Sequence, residues 1–198
     1  MSTARQLHHL NAADRQSACG SSLVTESGCA VLDDMLPGGG WPKGGVVELI
    51  VPDGHAEAID LVIPSLRRLS QQGRWITLVT PPLPSRAAVF TDRDINANHV
   101  LQVNPHPGRS GLWTVESMLR TGDSAAILAW PGCDTELMDK RLQKAAEHGR
   151  TLCVLFRYES LATHPSGVDV RLNVEVSEGG RAVYRVNSRG DALSGVAL

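Results

Sequence analysis

Short, nearly continuous apolar runs recur along this chain, separated by stretches in which apolar residues return every three or four positions. The runs VVELIV (46–51), RWITLVTP (74–81), HVLQVNP (99–105), SAAILAW (124–130) and TLCVLFR (151–157) are strand-length and predict five strands, the first apolar enough to be buried on both faces. Between the first two, Glu57 to Gln72 places Ile59, Val62, Ile63, Leu66 and Leu69 on one side and Arg67, Arg68, Gln71 and Gln72 on the other, an amphipathic helix. Pro64 falls inside it, at about 3 kcal/mol for an ideal helix, and predicts a kink. Further helices are predicted over Ala30 to Leu36, ended by Pro37 and three glycines, over Leu112 to Gly122, and over Asp134 to Gly149, with a short one in the looser segment PLPSRAAVFTDRDINAN. Strands alternating with helices imply crossover connections and a parallel sheet.

After Ser166 the rhythm changes to period two. Val168, Val170, Leu172, Val174 and Val176 alternate with Asp169, Arg171, Asn173 and Glu175, and SEGG turns the chain into RAVYRVN. This predicts a half-exposed antiparallel hairpin over 168–187, added to the sheet. Residues 1–22 are polar and aperiodic and read as a disordered tail, 23–190 as one domain, and 191–198 as a flexible end.

The stretch GGVVELIVPDGHAEAIDL (44–61) has the outline of a phosphate-binding loop: strand, tight turn, helix. Its turn is Pro52, Asp53, Gly54 and His55. The helix then opens with Ala56, Glu57 and Ala58, so a carboxylate stands where such loops carry a lysine. A lost charge-assisted phosphate contact is worth about 1.5–3 kcal/mol, and Glu57 adds like-charge repulsion. The segment predicts a degenerate nucleotide site without a cofactor.

Composition narrows the classes further. The chain has 198 residues and a net charge of −2, so no overall field draws it to DNA or to an anionic membrane. Direct DNA binding is therefore expected to be weak or absent. No apolar run approaches the roughly 20 residues that cross a bilayer. Cys19, Cys29, Cys133 and Cys153 lie far apart, the seven histidines are scattered, and the first residues lack the apolar core of a signal peptide. A reducing cytoplasm, free thiols and no metal site are expected.

The run ESGCAVLDDMLPGGGWPKGGVVELIVPDG resembles the segment leading into a RecA-like core, and the order of elements downstream is similar over about residues 26–190. Within that superfamily LPGGGWPKGGVVELI, GRWITLVTPP, GLWTVESMLRTGDSAAILAWP and KRLQKAAEHGRTLCVLFR resemble the ImuA proteins of translesion synthesis. IPSLRRLSQQGRW and TVESMLRTG are similar to SulA, an inhibitor of cell division. The glycine-rich lead-in segment and the C-terminal hairpin, which SulA lacks, favour ImuA. The resemblance implies a RecA-like P-loop core in which the phosphate-binding positions fall on Ala56, Glu57 and Ala58. The two acidic positions near the attacking water and the metal fall on Pro81 and Trp130. With all of these replaced, it implies a non-catalytic pseudo-ATPase that joins RecA to ImuB and an error-prone replicative-type DNA polymerase. The alternative it implies is a SulA-like protein that binds FtsZ and blocks its polymerisation. An active ATPase ranks third.

Binding residues are read from charge and aromaticity. Arg67, Arg68, Arg74, Arg120, Lys140, Arg141 and Lys144, if they converge, form a patch for an acidic partner. Arg185 and Arg189 resemble the basic end of a RecA hairpin that reaches a neighbouring subunit. Trp75 and Trp113 are expected to pack in the core, and Trp130, at a strand's carboxyl end, to fill the vacated nucleotide pocket.

Overall fold

In the computed structural model, residues 23–53, 56–82, 90, 93–105, 111–131, 139–162, 165–177 and 180–198 are described. The predicted apolar runs all form strands: β3 (Val46–Val51), β4 (Trp75–Val79), β5 (Val100–Val103), β6 (Ser124–Ala129) and β7 (Leu152–Tyr158). Before them β1 (Val24–Thr25) pairs with β2 (Trp41–Pro42). After them come β8 (Val170–Ser177), β9 (Gly180–Val186) and β10 (Ala192–Ala197). The main sheet has the order β10-β9-β8-β3-β7-β6-β4-β5. From β8 to β5 every neighbouring pair is parallel, and β8-β9-β10 is antiparallel.

Two layers of helices cover the parallel region. α1 (Ala30–Met35) and α2 (Ile63–Gln71) bury Leu32, Ile63 and Leu66 against Val47, Leu49, Ile76, Leu78, Leu128 and Val154. On the other face α3 (Gly111–Thr121) and α4 (Asp139–Gly149) bury Leu112, Val115, Leu119, Leu142, Ala145 and Ala146 against Val46, Val79, Ile127, Cys153 and Leu155. Each central strand contributes alternate residues to the two cores, which is why these runs read as continuous rather than alternating.

Four expectations are corrected. Pro64 does not kink a long helix. Residues Ala56–Leu61 form a 3₁₀ helix, α2 starts only at Ile63, and Pro64 sits in its first turn, where a missing N–H leaves no bond unmade. The hairpin is not half-exposed throughout: β8 lies between β3 and β9, and Arg171 is buried with Leu172. The expected flexible end forms β10, which pairs with β9 from Ala192 to Ala197. Finally, Trp75 and Trp113 are each 45 % exposed, whereas Trp41 is fully buried. Trp75 stands at the first position of β4, which lies between β6 and the edge strand β5, with the His99 ring edge-on at 5.6 Å. The predicted tail 1–22 lies outside the described residues.

Candidate functional site

Parallel strands give a sheet two chemically different ends. Ligands of such folds normally bind beyond the carboxyl ends, where the phosphate-loop reading also pointed. Pro52 and exposed Asp53 follow β3 there, and Asp53 accepts a hydrogen bond from the Ser160 hydroxyl at 2.9 Å. Gly54 and His55 lie outside the described residues. Ala56 and Glu57 are in the 3₁₀ helix, and Ala58 is buried in the core under α2. A phosphate loop needs an α-helix whose free N–H groups open directly on the turn. Here α2 begins well past it, so the expected P-loop geometry is not formed. Pro81 and Trp130 close β4 and β6, which are neighbours in the sheet. Trp130 is half-buried, donates its backbone N–H to the Val79 carbonyl at 3.1 Å, and stacks on Phe156 with ring centroids 4.6 Å apart.

At the amino ends the sheet presents a groove of about 730 Å³. Its lining comes from Lys43 before β3, Arg74 before β4, Ala125 in β6, Arg150 and Leu152 at β7, Leu69 of α2 and Glu147 of α4. The floor is apolar and the rim holds three cations against one carboxylate. Among the described residues Lys43, Arg74 and Arg150 make no ion pair, although Arg150 directly follows the carboxyl end of α4, whose partial negative charge favours it, and Arg74 comes three residues after the end of α2. Exposed Trp75 follows Arg74 as the first residue of β4. Arginine and exposed tryptophan are residue types enriched at the centres of protein-binding surfaces.

The basic residues predicted to form one patch are split. Arg74 is in this groove. Arg120 and Lys144 meet in a smaller depression with His148, and Arg141 lies beside Arg120 and Trp113. Lys140 is exposed on α4. Arg67 donates to the Arg93 carbonyl at 3.0 Å, and Arg68 pairs with Glu26 at 2.8 Å, so both are occupied in tying α2 to its neighbours. Arg185 on β9 and Arg189 in the following turn belong to the antiparallel region, apart from the groove.

The sequence reading missed a buried ion cluster. Glu48 in β3 lies 2.8 Å from Arg157 Nε and 2.6 Å from Arg171 Nε, and all three side chains are sealed from solvent. The register sets Glu48 opposite Arg171 on the α3–α4 side of the sheet. Arg171 also donates to the carbonyls of Ser188 at 2.9 Å and Ala162 at 3.4 Å. The signal was available: a lone carboxylate inside VVELIV requires a buried cation. A second cluster joins Asp60 to Arg93 and, at 2.6 Å, to Arg181, fastening the 3₁₀ helix to the β9 strand.

Cys153 is buried under α4, and burial, with the charge of Asp169 adding to it, pushes its thiol up to about 12. A thiolate is the reactive form. Native protein treated with iodoacetamide at pH 8 should therefore show Cys153 unlabelled by peptide mass spectrometry, while half-buried Cys29 reacts. Because the folded value lies above the ordinary 9.0, this thiol favours folding below pH 9. That contribution is lost as pH rises toward 12, by about 1.4 kcal/mol per unit.

No helix among the described residues is long and apolar enough to cross a membrane. The profile of the family described as "Cell division inhibitor SulA" matches residues 44–153. The chain is 30 % identical over 128 residues to the cell division inhibitor SulA of Pectobacterium carotovorum subsp. carotovorum (strain PC1), covering 59 % of this chain and 71 % of that protein. It is 25 % identical over 118 residues to that of Serratia proteamaculans (strain 568), covering 60 % and 70 %. The solved structure of SulA from Pseudomonas aeruginosa aligns with 24 % identity and a TM-score of 0.47, over 57 % of this chain and 97 % of that one. The profile match and the curated relatives overturn the ImuA reading and with it the partners RecA, ImuB and a polymerase. The lead-in segment and the hairpin that had favoured ImuA lie outside the matched profile, which spans residues 44–153. The chain belongs to the SulA family.

Proposed function

We propose that this protein inhibits cell division by binding FtsZ and blocking its polymerisation, with the amino-end groove as the contact surface. The observation that carries the reading is the match of the SulA profile to residues 44–153, a span that contains Arg74, Trp75, Glu147 and Arg150 but none of β8, β9 and β10. Within that span the groove is lined by apolar Leu69 and Leu152 and by the cations Arg74 and Arg150, and exposed Trp75 is next to Arg74 in the chain. Binding is the whole mechanism. A protein seated here removes FtsZ surface from the polymer, and the inhibitor needs neither nucleotide nor turnover.

The test is a sedimentation assay of FtsZ with GTP. Wild-type protein should lower the pelleted FtsZ in proportion to its concentration. Arg74→Glu and Trp75→Ala should each raise the concentration required by roughly 10- to 100-fold, the range for removal of an interface anchor. Both residues lie on the surface, so thermal melting should stay near wild type. Undiminished FtsZ pelleting at a several-fold excess of folded wild-type protein would overturn the reading.

A further inference from the structure

The face formed by α3 and α4 carries features that the amino-end groove does not use. Trp113, Ser117 and Arg120 fall at positions i, i+4 and i+7 on α3, and Arg141, Lys144 and His148 at i, i+3 and i+7 on α4, so each set forms one stripe along its helix. The two stripes face each other. Trp113, Glu116, Ser117, Arg120 and Arg141 line a depression of about 130 Å³, and Arg120, Lys144 and His148 line a second of about 360 Å³ next to it. The shared Arg120 makes them one shallow groove, aromatic at one end and cationic at the other.

Its charge is uncompensated at the cationic end. Glu116, nearly buried, is held by Arg141 Nη2 at 2.5 Å. That carboxylate is spoken for, whereas Arg120 and Lys144 make no ion pair among the described residues. In a chain with a net charge of −2, two unpaired cations and a histidine around one depression are a local reversal of sign. The groove is about 10 Å long from the helical rise over seven residues, enough for roughly three residues of an extended peptide. The cationic end also adjoins the amino-end groove, because His148 precedes Gly149 and Arg150, which line the latter.

We propose that the α3–α4 groove is a second docking surface that takes a short acidic segment of the partner held at the amino-end groove, its apolar side chain on Trp113 and its carboxylates on Arg120 and Lys144. This rests on the FtsZ reading above. Carboxylates pair with the planar guanidinium of Arg120 in a way that bare charge does not reproduce, so Lys cannot fully replace it.

The experiment measures affinity for purified FtsZ by fluorescence anisotropy at 50 mM and 500 mM salt. It compares wild type, Arg120→Glu/Lys144→Glu, Trp113→Ala, Arg120→Lys and the groove variant Arg74→Glu, each checked for folding by circular dichroism. The double reversal should weaken binding by roughly 30-fold at low salt and by much less at high salt, since screened charges lose their effect. Trp113→Ala should weaken binding about equally at both salts, and Arg120→Lys should fall between wild type and the reversal. If wild type binds and Arg74→Glu fails while the α3–α4 variants bind as wild type, the proposal is overturned and the FtsZ reading stands. If wild type does not bind at all, both fall together.

Discussion

Glu48→Ala should lower the unfolding free energy by about 3–5 kcal/mol, the cost of leaving buried cations without their counter-charge. Glu48 is the acid of a cluster in which Arg157 and Arg171 are also buried, and it is shared by both. Removal strands two guanidinium groups in the sheet interior. Arg171 keeps its bonds to the Ser188 and Ala162 carbonyls, but Arg157 is left next to Leu155 and Ile50 with its charge unmet. Since domains of this size are stable by only about 5–15 kcal/mol, the variant should sit close to its unfolding transition at 37 °C. Urea denaturation monitored by tryptophan fluorescence measures the loss as a fall in midpoint. The cluster itself adds little net stability, so the triple replacement Glu48→Met, Arg157→Leu and Arg171→Met should recover most of it. A loss below about 1 kcal/mol for Glu48→Ala would mean that the arginines are satisfied without it.

Gly149→Ala should be nearly as damaging, for a steric reason. A Cβ at this position would lie 2.0 Å from the Leu119 carbonyl oxygen and 3.2 Å from Gly122 Cα. The obstacle is backbone, which cannot swing aside as a side chain does. That carbonyl also accepts the Gly122 N–H at 3.2 Å, so moving it disturbs the end of α3. Overpacking of this kind costs about 3 kcal/mol at the upper end of its usual range. Gly39→Ala separates crowding from strain: Gly39 has φ +80° and nothing within 4 Å of its added Cβ, so only the left-handed backbone resists, at about 1 kcal/mol. Equal melting temperatures for the two variants would refute the steric account. Because Gly149 holds the carboxyl end of α4 against α3, its replacement should also alter the spacing of Arg120 and Lys144.

Much of the fold was legible because burial writes itself into composition. The central strands β3, β6 and β7 lie between two helical layers, so both faces must be apolar, and VVELIV, SAAILA and LCVLFR show it. The apolar stripe of α2 was legible for the same reason, and α3 and α4 were legible as helices. The two exposed tryptophans were not, since a tryptophan near a strand start or on a helix reads alike whether its neighbours cover it or leave it open. The family was half legible. TVESMLRTG and IPSLRRLSQQGRW carried it, but segments outside residues 44–153 drew the reading toward ImuA.

By itself the sequence determined a layered sheet of parallel strands and an antiparallel addition, because apolar periodicity depends only on which residues must leave water. It also determined that 52–58 lacks the charges of a phosphate site. Only tertiary structure decided where function can reside. Lys43, Arg74 and Arg150 are far apart in the chain and meet because every parallel strand starts at the same end of the sheet. Whether Arg171 faces water or Glu48 was likewise settled by the pairing of β8 with β3, a long-range register that no local pattern encodes.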